Sequence, residues 1–573
     1  MMTFTEQRNP RLHRFARVLA AIAVCAVLSV SHAAERFNLN GGGWEFRTAR
    51  ESGWRPVNVP HCWPLDNGYL QYVGEALYRR NFTAPLDLKD KVVRLRFEAV
   101  YYKAVVRLNG TEVGAHEGGY TPFEFDVTKL VRPGTNQIEV AVDNSWGPKT
   151  LPIGNPDGTQ RFAWWSYGGI VRDVTLLVTP QTYIANVKIE STPDLEKNTA
   201  ALIVRAWVRN ASAAPAKVTL GGEVAAVVVQ GGTQAIGPGE THELKWTGSV
   251  ERPRLWDWRD PHLYDAVITA GGDTWQTHIG IRKVEVRGTQ LLLNGRPIRL
   301  FGANRHSDHP RFGLIEPQEV VEQDMGLMLE SNMRFMRIGH HAQAVALLDY
   351  ADRHGILLVE EAANWQLNPA EMDDPDIGRL WQQQMREMVE RDWNHPSIIA
   401  WSVGNEYDSH TPSGVRWTRE AMAFTRGVDS TRLLTFASNK DARPQVKGPQ
   451  DEASFLSDFV CLNIYGNHTG RLDHAHSLWP DKPIFVSEFG RMGDEGLEDV
   501  KRVANLTAAI EAMKARPYVI GGGIWAFSDY RSRHPGTPPS GYRPWGVITP
   551  DRERRASFEA VKKMFAPDGA AGR

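Results

Sequence analysis

The sequence is poor in cysteine and has no excess of charge of either sign. It contains three Cys in 573 residues, and 66 basic residues stand against 67 acidic ones. A balanced charge excludes the global field that attracts nucleic acid or an anionic membrane. Cys62 and Cys461 are far apart and belong to no CxxC or Cys/His cluster, which argues against a disulfide framework and against a metal site. We expect both to be buried thiols.

Long hydrophobic runs are also absent, apart from one near the start. Residues 18–30 form an apolar stretch that is shorter than the ~20 residues a membrane-spanning helix needs. Four arginines lie within residues 8–17 before it, and Ser-His-Ala follows at 31–33. This pattern predicts a secretion signal over residues 1–33, and therefore a periplasmic or secreted protein. A retained membrane anchor is the alternative.

Residues 34 to 285 have a sequence pattern that is typical of β-sheet. Short alternating runs such as KVVRLRFEAV and NQIEVAVDN stand beside Asn-Gly or Pro-Gly turns. A second set, which includes TAALIVRAWVRN and THELKWTGSV, follows Pro180 at the spacing of a sandwich. We predict a jelly-roll-like β-sandwich over 34–180 and a smaller, immunoglobulin-like β-sandwich over 181–285.

After Gly288 the sequence pattern changes: it predicts strands that alternate with helical segments. The candidate strands are IRLFGAN (298–304), MRFMRIG (333–339), ILLVEEA (356–362), SIIAWSVG (397–404), LLTFAS (433–438), FVCLNIYG (459–466), PIFVSEFG (483–490) and VIGGGIWAFS (519–528). Eight strands in about 280 residues predict a (β/α)8 TIM barrel over 286–573. An open doubly wound sheet is the alternative, but no GxGxxG follows its first strand.

Barrels of this type carry their chemistry at the C-terminal ends of the strands. The polar residues there are Asn304, His306 and Asp308 after the first strand, Arg337 and His340 after the second, Asn405 and Glu406 after the fourth, Tyr465 after the sixth, Glu488 at the end of the seventh, and Trp525 and Asp529 after the eighth. Glu406 and Glu488 are thus predicted to face each other across a pocket. Two facing carboxylates are what glycoside hydrolysis requires, whereas a single Glu would be explained by capping or an ion pair.

The motifs around these residues resemble those of glycoside hydrolase family 2, the group of β-galactosidases, β-glucuronidases and β-mannosidases. RDWNHPSIIAWSVGNE (391–406) is similar to the acid/base segment of that family, and PIFVSEFG to its nucleophile segment. Further similar segments are FGANRHSDHP, MRFMRIGHH and GGIWAFSDY in the barrel, and LNGTEVGAHEGGYTPFEFDVT and WWSYGGIVRDVTLLV in the N-terminal sugar-binding-like sandwich. The resemblance covers nearly all of the chain after residue 33 and implies the compact three-domain form.

The resemblance implies a retaining hydrolase in which Glu406 is the acid/base and Glu488 the nucleophile, with carboxyl groups roughly 5–5.5 Å apart. Asn405 would bond the sugar 2-hydroxyl, with a turn-forming role as the alternative. Tyr465 would donate to the nucleophile, with aromatic packing as the alternative. Arg337 would hold Glu488 by charge-assisted hydrogen bonds, with a contact to the substrate as the alternative.

Four further residues are candidates for sugar binding. Trp525 would form the floor against which the sugar stacks, and core packing is the alternative. His306, Asp308 and His340 would contact ring hydroxyls, and a capping or ion-pairing role at the barrel mouth is the alternative for each.

Three departures from the family pattern bear on the substrate. Bacterial β-glucuronidases carry an Asn-x-Lys-Gly stretch that grips the sugar carboxylate, whereas this chain has Arg-Pro-Trp-Gly at 543–546. Arg543 could replace the missing Lys as an anion clamp. Large metal-dependent β-galactosidases have Glu-x-His after the third strand, whereas this chain has Trp365 and Gln366 there, which predicts no catalytic metal ion and no cofactor. The extra C-terminal domains of those enzymes are not expected.

We therefore expect an exported exo-β-glycosidase that acts on an oligosaccharide or other glycoside, with β-galactosidase as the first choice. A β-glucuronidase or another acidic-sugar β-glycosidase of the same family is the alternative, and a carbohydrate-binding protein without catalysis is a third hypothesis. The loop at 530–545, rich in Pro, Gly and Arg, is expected to cover the site and to influence the choice of sugar. No nucleic-acid partner is expected, nor a membrane one after signal removal. The sequence leaves open the glycone, the aglycone and whether the protein is a homo-oligomer.

Overall fold

The computed structural model describes residues 32–493 and 495–566, which fold into two β-sandwiches followed by a barrel. The predicted secretion signal lies outside the described residues except for His32–Ala33, a two-residue strand that pairs with Asp273–Ile279. The signal therefore stays a prediction. Within the described residues, no helix has the length and apolar character needed to cross a membrane.

The first sandwich is built from two antiparallel sheets. Its six-stranded sheet contains, in spatial order, Arg55–Val59, Gly41–Thr48, Glu75–Ala84, Gly134–Asp143, Lys103–Leu108 and Thr111–Glu117. Its four-stranded sheet contains Phe123–Asp126, Lys91–Phe97, Val174–Pro180 and Glu35–Asn38. A short pair, Val100–Tyr101 and Gly169–Ile170, and the 3-10 helix Trp63–Leu65 complete it. The strand Gly134–Asp143 alternates buried and partly exposed residues because one face of each sheet covers the core.

The second sandwich is smaller. Its five-stranded sheet contains His32–Ala33, Asp273–Ile279, Tyr264–Ala270, Ala216–Val224 and Val227–Ile236. Its three-stranded sheet contains Thr182–Asp194, Thr199–Asn210 and Thr241–Glu251. A three-stranded meander, Val284–Arg287, Gln290–Leu293 and Arg296–Ile298, then leads into the barrel.

The last domain is a closed barrel of eight parallel strands, as predicted. Barrel strands 1 to 8 are Leu300–Ala303, Phe335–Arg337, Leu357–Glu361, Ile398–Asn405, Leu433–Ser438, Val460–Asn463, Ile484–Phe489 and Val519–Ile524. Every one overlaps the run from which it was predicted. The strands are almost entirely buried because helices cover their outer faces and side chains fill the interior.

The helices of the barrel domain lie between and after these strands. They are Gln318–Glu330, Val345–His354, Pro369–Met372, Pro375–Asp392, Pro412–Val428, His468–Leu478, Val500–Lys514 and Ala556–Met564, with a 3-10 turn at Ala453–Leu456. Local signals fix several of their starts: Pro412 occupies the first turn, and the Thr411 side chain accepts a hydrogen bond from the Gly414 amide. The loop after barrel strand 8 contains a short antiparallel pair, Tyr530–Arg531 with Tyr542–Arg543.

The first sandwich contacts the mouth of the barrel. Tyr167 donates a hydrogen bond to Asp308 after barrel strand 1 (3.1 Å), and Arg172 donates to Glu316 (3.3 Å) and to the Ala342 carbonyl (2.9 Å). These side chains are all buried. Residues that precede the barrel by more than a hundred positions therefore form part of the wall around its C-terminal strand ends.

The predicted combination of two sandwiches and a TIM barrel is confirmed. The thiols Cys62 and Cys461 are buried, as expected, and burial raises the pKa of each to about 12. Such thiols are inert packing groups at neutral pH.

Glycine in barrel strand 8 provides a test of the packing. Gly521 has φ +144°, and a Cβ atom there would lie 1.9 Å from the Leu300 carbonyl oxygen of the neighbouring strand. Gly521→Ala should therefore destabilise the protein by about 3 kcal/mol or more, which lowers the apparent Tm by several degrees. The matched control is Gly427→Ala on helix Pro412–Val428, where no atom lies within 4 Å and the substitution should stabilise by about 0.5–1 kcal/mol. Equal apparent Tm values for the two variants in thermal unfolding would contradict this packing.

Candidate active site

A buried arginine at the end of barrel strand 2 organises the barrel mouth. The Arg337 side chain is 1% exposed, and its Nη1 donates to Glu488 Oε1 at 2.7 Å. Its Nη2 donates to Glu361 Oε2 and to Asn405 Oδ1, each at 2.9 Å. The planar guanidinium thus binds acceptors from barrel strands 3, 4 and 7. Two carboxylates tolerate burial here because a positive charge is shared between them.

The charges of this cluster shift one another's pKa values. Burial by itself would raise the pKa of Glu361, but Arg337 and hydrogen bonds from His340 and Ser402 outweigh it, so that the pKa is lowered. Burial raises the pKa of Glu488, Arg337 opposes that shift, and the negative charge of Glu406 adds to it. Glu361 is therefore the constant counter-ion of Arg337, whereas for Glu488 the effect of burial on the pKa exceeds that of Arg337.

The second oxygen of Glu488 faces a tyrosine at the open side of the site. The Tyr465 hydroxyl donates to Glu488 Oε2 at 2.5 Å, while 40% of the Tyr465 side chain is exposed. Burial of the hydroxyl and the charges of Glu488 and Glu406 raise the pKa of Tyr465 well above its usual value. Solvent therefore reaches the site beside Glu488, and both oxygens of that carboxyl group have a donor.

Glu406 follows directly after barrel strand 4. Its backbone adopts φ 51°, a left-handed conformation that turns the chain as soon as the strand ends. The side chain is half-buried, and its two oxygens accept hydrogen bonds from two amides: Oε1 from Asn463 at 2.8 Å and Oε2 from Gln366 at 2.9 Å. These two amide donors hold the Glu406 carboxylate at the mouth of the barrel, directly after the buried strand.

Two asparagine amides lie between the carboxylates. Asn405 Oδ1 accepts from Arg337 (2.9 Å) and from Asn463 Nδ2 (3.1 Å), and Asn463 Oδ1 accepts from Ser487 Oγ (2.8 Å). These donors fix the orientation of both amides. The side-chain Nδ2 of Asn405 makes no hydrogen bond within the described ranges and is left as a donor for a ligand.

The structure thus brings together Glu406, Glu488, Asn405, Tyr465 and Arg337, which the sequence placed at the ends of four different strands. An unbroken chain of hydrogen bonds runs from Glu406 through the two asparagines and Arg337 to Glu488. The charge of Glu406 is close enough to raise the pKa of Glu488, after burial and against Arg337.

Trp525 lies in an aromatic cluster beside this network. Its ring is 5% exposed, stacks on His340 with centroids 5.2 Å apart, and meets His306 edge-on at 4.9 Å. Its Nε1 donates to the Tyr530 hydroxyl at 3.2 Å. The packing role is therefore present, and the ring also borders the two histidines that were candidates for sugar binding.

The two histidines differ in what they bind. His340 Nδ1 lies 3.1 Å from Glu361 Oε1 and is engaged in the charge network. His306 is 2% exposed, and neither of its ring nitrogens has a partner within the described residues. Burial, and then neighbouring positive charges that include His340 and Arg543, lower the pKa of His306 well below its usual range. A neutral imidazole with one free donor and one free acceptor is suited to a hydroxyl-bearing ligand.

Asp308 is fully occupied by the protein. Its Oδ1 accepts from the Tyr167 hydroxyl at 3.1 Å and its Oδ2 from the Arg531 backbone amide at 2.6 Å. Burial raises its pKa, and the hydrogen bond from the Arg531 amide opposes that shift. The structure favours the structural alternative for Asp308: it joins the first sandwich to the loop at 530–545.

Arg543 projects from that loop without an anionic partner. Its strand Tyr542–Arg543 pairs with Tyr530–Arg531, which places Arg543 opposite Tyr530. Within the described residues Arg543 forms no ion pair, and its Nε is buried without a hydrogen bond. The guanidinium lies 6.0 Å from the Trp545 ring centroid and adds to the charges that, after burial, lower the pKa of His306. Within the described residues, Arg543 is therefore a cation without an ion pair, close to Tyr530, Trp545 and His306.

Several residues of the site were not identified from the sequence. Glu361 stands at the end of barrel strand 3 and Asn463 at the end of barrel strand 6, so the rule that found Glu406 would also have found them. Tyr167 and Tyr530 reach the site from a sandwich and from a loop; both lie in segments that resemble the family's motifs, but neither follows a barrel strand closely enough for the strand-end rule to single it out. Gln366 was noted only because it stands where a metal ligand would be in other enzymes.

The Arg337 cluster predicts a stability loss that depends on pH. Arg337→Met leaves Glu361 and Glu488 buried without a counter-ion, which should cost about 3–5 kcal/mol at pH 7. Because the native pKa of Glu361 lies below its usual 4.5, that stability is present at neutral pH and is lost as the pH falls through the lowered value. The Tm difference from the unsubstituted protein should therefore be largest near neutral pH and shrink in acid.

The control is Arg209→Met in the second sandwich; within the part of the chain that the structure describes, the Arg209 guanidinium donates one hydrogen bond, to the Thr241 hydroxyl at 3.4 Å. It should change the apparent Tm little at any pH. An Arg337→Met deficit that is the same at every pH would contradict the charge assignment.

Three family models match consecutive parts of the chain. "Glycosyl hydrolases family 2, sugar binding domain" matches residues 46–180, "Glycosyl hydrolases family 2" matches 182–282, and "Glycosyl hydrolases family 2, TIM barrel domain" matches 284–567. Together they span both sandwiches and the barrel.

Known proteins and solved structures are similar to this chain over most of its length. The β-glucuronidase of Rattus norvegicus is 28% identical over 551 residues, which covers 87% of this chain and 81% of that protein. The crystal structure of a β-galacturonidase from Eisenbergiella tayi bound to galacturonate is 26% identical, with a TM-score of 0.84 over 93% of this chain and 97% of that one. A β-D-glucuronidase structure from Dictyoglomus thermophilum is 26% identical, with a TM-score of 0.80 over 94% of this chain and 98% of that one.

Proposed function

The chain belongs to glycosyl hydrolase family 2 and is a glycoside hydrolase, and from this premise we propose that it is a retaining exo-β-uronidase, an enzyme that releases terminal β-linked hexuronic acids. The acidic-sugar alternative is thereby preferred to the β-galactosidase that was the first choice from sequence. The observation that carries the choice is the Arg543 guanidinium, which forms no ion pair within the described residues and which, after burial, helps to lower the pKa of the nearby His306.

Catalysis proceeds in two displacements. A carboxylate oxygen of Glu488 attacks the anomeric carbon while the Glu406 carboxyl group gives its proton to the departing glycosidic oxygen, so that a glycosyl ester forms and the aglycone leaves as an alcohol. Glu406, now ionised, takes a proton from water, whose oxygen attacks the anomeric carbon and breaks the ester bond to Glu488. The sugar is released with its β configuration retained, and both glutamates return to their first state.

The surroundings of Glu488 suit a nucleophile. It must be ionised when substrate binds, and Arg337 and Tyr465 donate to its two oxygens at 2.7 Å and 2.5 Å. Both bonds favour the anion against the effect of burial. The side-chain Nδ2 of Asn405, which makes no hydrogen bond within the described residues, lies beside the carboxylates, where it can donate to a sugar hydroxyl, and such a bond strengthens in the transition state.

Arg543 is suited to the carboxylate of a hexuronic acid. A partly buried guanidinium without an anion pays a desolvation cost that a neutral sugar cannot offset. A bidentate ion pair with a carboxylate offsets it and fixes the orientation of the sugar ring. The neighbouring His306 and Trp545 Nε1, also without partners within the described residues, offer further polar contacts to the same end of the sugar.

The named relatives support the same substrate class. Two of the three relatives described above are named for glucuronic acid, and the third is a galacturonidase with galacturonate bound. Arg543 stands where bacterial β-glucuronidases have Asn-x-Lys-Gly, so the charge is retained while its geometry differs.

A panel of aryl β-glycosides tests the choice of sugar. We expect kcat/KM for the β-glucuronide or β-galacturonide to exceed that for the β-galactoside by about 100-fold, a ratio that corresponds to one charge-assisted pair of hydrogen bonds. Arg543→Met should lower uronide kcat/KM by about 10–100-fold, mainly through KM, and leave any galactoside cleavage unchanged. Arg543→Lys should retain part of the activity.

Arg554→Met is the matched control for Arg543→Met, because Arg554 is a surface arginine paired with Glu330, and it should leave both activities unchanged. A preference of the unsubstituted enzyme for the galactoside, or an equal loss on both sugars in Arg543→Met, would contradict the assignment of Arg543.

The roles of the two glutamates predict different defects. Glu488→Gln should abolish turnover of every aryl glycoside because no ester can form, a loss of about 10⁴-fold or more. Glu406→Ala should retain the first step for a dinitrophenyl glycoside, whose leaving group needs no proton, and azide should accelerate the second step and yield the β-glycosyl azide. An α-glycosyl azide, or substantial turnover by Glu488→Gln, would refute the retaining mechanism.

A further inference from the structure

One side chain beside Glu406 has no role in the mechanism above. Gln366 lies in the loop after barrel strand 3, and its Nε2 donates to Glu406 Oε2 at 2.9 Å. The Gln366 side chain is exposed, so it stands on the solvent side of Glu406. Its backbone is left-handed at φ 51°, and its amide nitrogen donates to the Asn405 carbonyl at 2.8 Å. A non-glycine residue keeps such a backbone when its surroundings enforce it.

An arginine of the first sandwich provides that enforcement. Arg161 Nη2 donates to the Gln366 carbonyl at 2.6 Å, and its Nη1 donates to Glu371 Oε1 at 2.5 Å. Glu371 also caps the short helix Pro369–Met372. The loop that carries Gln366 is therefore fixed from two sides, by barrel strand 4 and by a different domain.

The two amides that hold Glu406 are not equivalent. The Asn463 amide cannot turn over, because its Oδ1 accepts from Ser487 at 2.8 Å and its Nδ2 also donates to Asn405 at 3.1 Å. Within the described residues, Gln366 Oε1 accepts no hydrogen bond, and the one hydrogen bond of Nε2 is to Glu406. The Gln366 amide can therefore rotate without losing another bond.

This difference matters because Glu406 changes protonation in each catalytic cycle. Two N–H donors fit an ionised carboxylate, whereas a protonated carboxyl group needs an acceptor for its O–H or a free direction for it. Asn463 can only donate. Gln366 can donate to the anion through Nε2 and, after rotation of its amide, accept from the acid through Oε1.

We propose that Gln366 is the positioning residue of the acid/base, which holds Glu406 in both protonation states, and that Arg161 of the first sandwich fixes Gln366 in place. The proposal rests on the proposed function only in that Glu406 is the acid/base. Under this proposal the first sandwich contributes to catalysis through the contacts from Arg161 to Gln366 and from Gln366 to Glu406. Gln366 then has a role at a position where large metal-dependent β-galactosidases have a metal ligand.

The sign of the effect follows from the donor in the observed arrangement. Donation from Nε2 to the Glu406 anion is the observed arrangement, and a hydrogen bond to a charged carboxylate is stronger than one from the neutral acid, so removing Gln366 should favour the protonated form of Glu406. The activity of a general acid falls as the pH rises through its pKa. Gln366→Leu should therefore move the alkaline limb of the kcat/KM profile to higher pH by about 0.5–1 unit, the size expected for one hydrogen bond to a half-exposed carboxylate.

The experiment is a set of pH profiles measured with whichever aryl glycoside of the panel is cleaved, so that an error in the sugar leaves the test intact. Gln366→Leu should shift the alkaline limb upward and lower kcat/KM about 10-fold for a slow leaving group such as methylumbelliferyl. For a dinitrophenyl glycoside, kcat/KM should stay within about 2-fold, because that leaving group needs no proton. Gln366→Glu should shift the limb further upward, since a second carboxylate disfavours the Glu406 anion.

Two further variants complete the test. Gln318→Leu removes an exposed amide that donates to the Glu322 carboxylate at 2.7 Å on helix Gln318–Glu330, and it should leave the profile unchanged. Arg161→Met should shift the limb in the same direction as Gln366→Leu by a smaller amount. An alkaline limb that does not move in Gln366→Leu, or equal losses for both leaving groups, would overturn the proposal even if Glu406→Ala confirms the acid/base.

Discussion

The site depends on one buried positive charge. Arg337, 1% exposed at the end of barrel strand 2, binds Glu488, Glu361 and Asn405 within 2.9 Å. Without it, two glutamates in a low-dielectric barrel mouth would be protonated or would repel each other. With it, Glu361 becomes a permanent counter-ion, and Glu488 can be ionised although burial raises its pKa. The proposed nucleophile thus shares its arginine with a second carboxylate that takes no part in the proposed reaction.

The three-domain architecture has a direct consequence for this site. The barrel supplies the strand ends, but the first sandwich completes the mouth through Tyr167, which bonds Asp308, and Arg161, which bonds the Gln366 loop. The loop at 530–545 is joined to the same wall, because Asp308 also accepts from the Arg531 amide. Chemistry thus lies in the barrel, while the residues that shape the pocket come from distant parts of the chain, which is how one scaffold serves several sugars.

The sequence predicted those features that depend on a pattern of neighbouring residues. Eight apolar runs gave eight barrel strands, because parallel strands buried on both faces read as near-continuous hydrophobic segments. The pair Glu406 and Glu488 followed from their position at strand ends. The sequence does not show contacts that join distant segments: nothing local shows that Tyr167 donates to Asp308, or that Arg543 has no ion pair within the described residues. The choice between a neutral and an acidic sugar depends on that unpaired charge, and so it required the fold and the named relatives.

The central claim is that Glu488 attacks a hexuronic acid whose carboxylate is bound by Arg543. The most direct measurement is a mass spectrum of the protein and of its peptides after treatment with fluorinated glycosyl inactivators, one a hexuronide and the other a galactoside. The account predicts that the hexuronide adds a single sugar mass, that the label lies on the peptide containing Glu488, and that the galactoside labels far more slowly. A label on a different residue, or faster labelling by the galactoside, would contradict it.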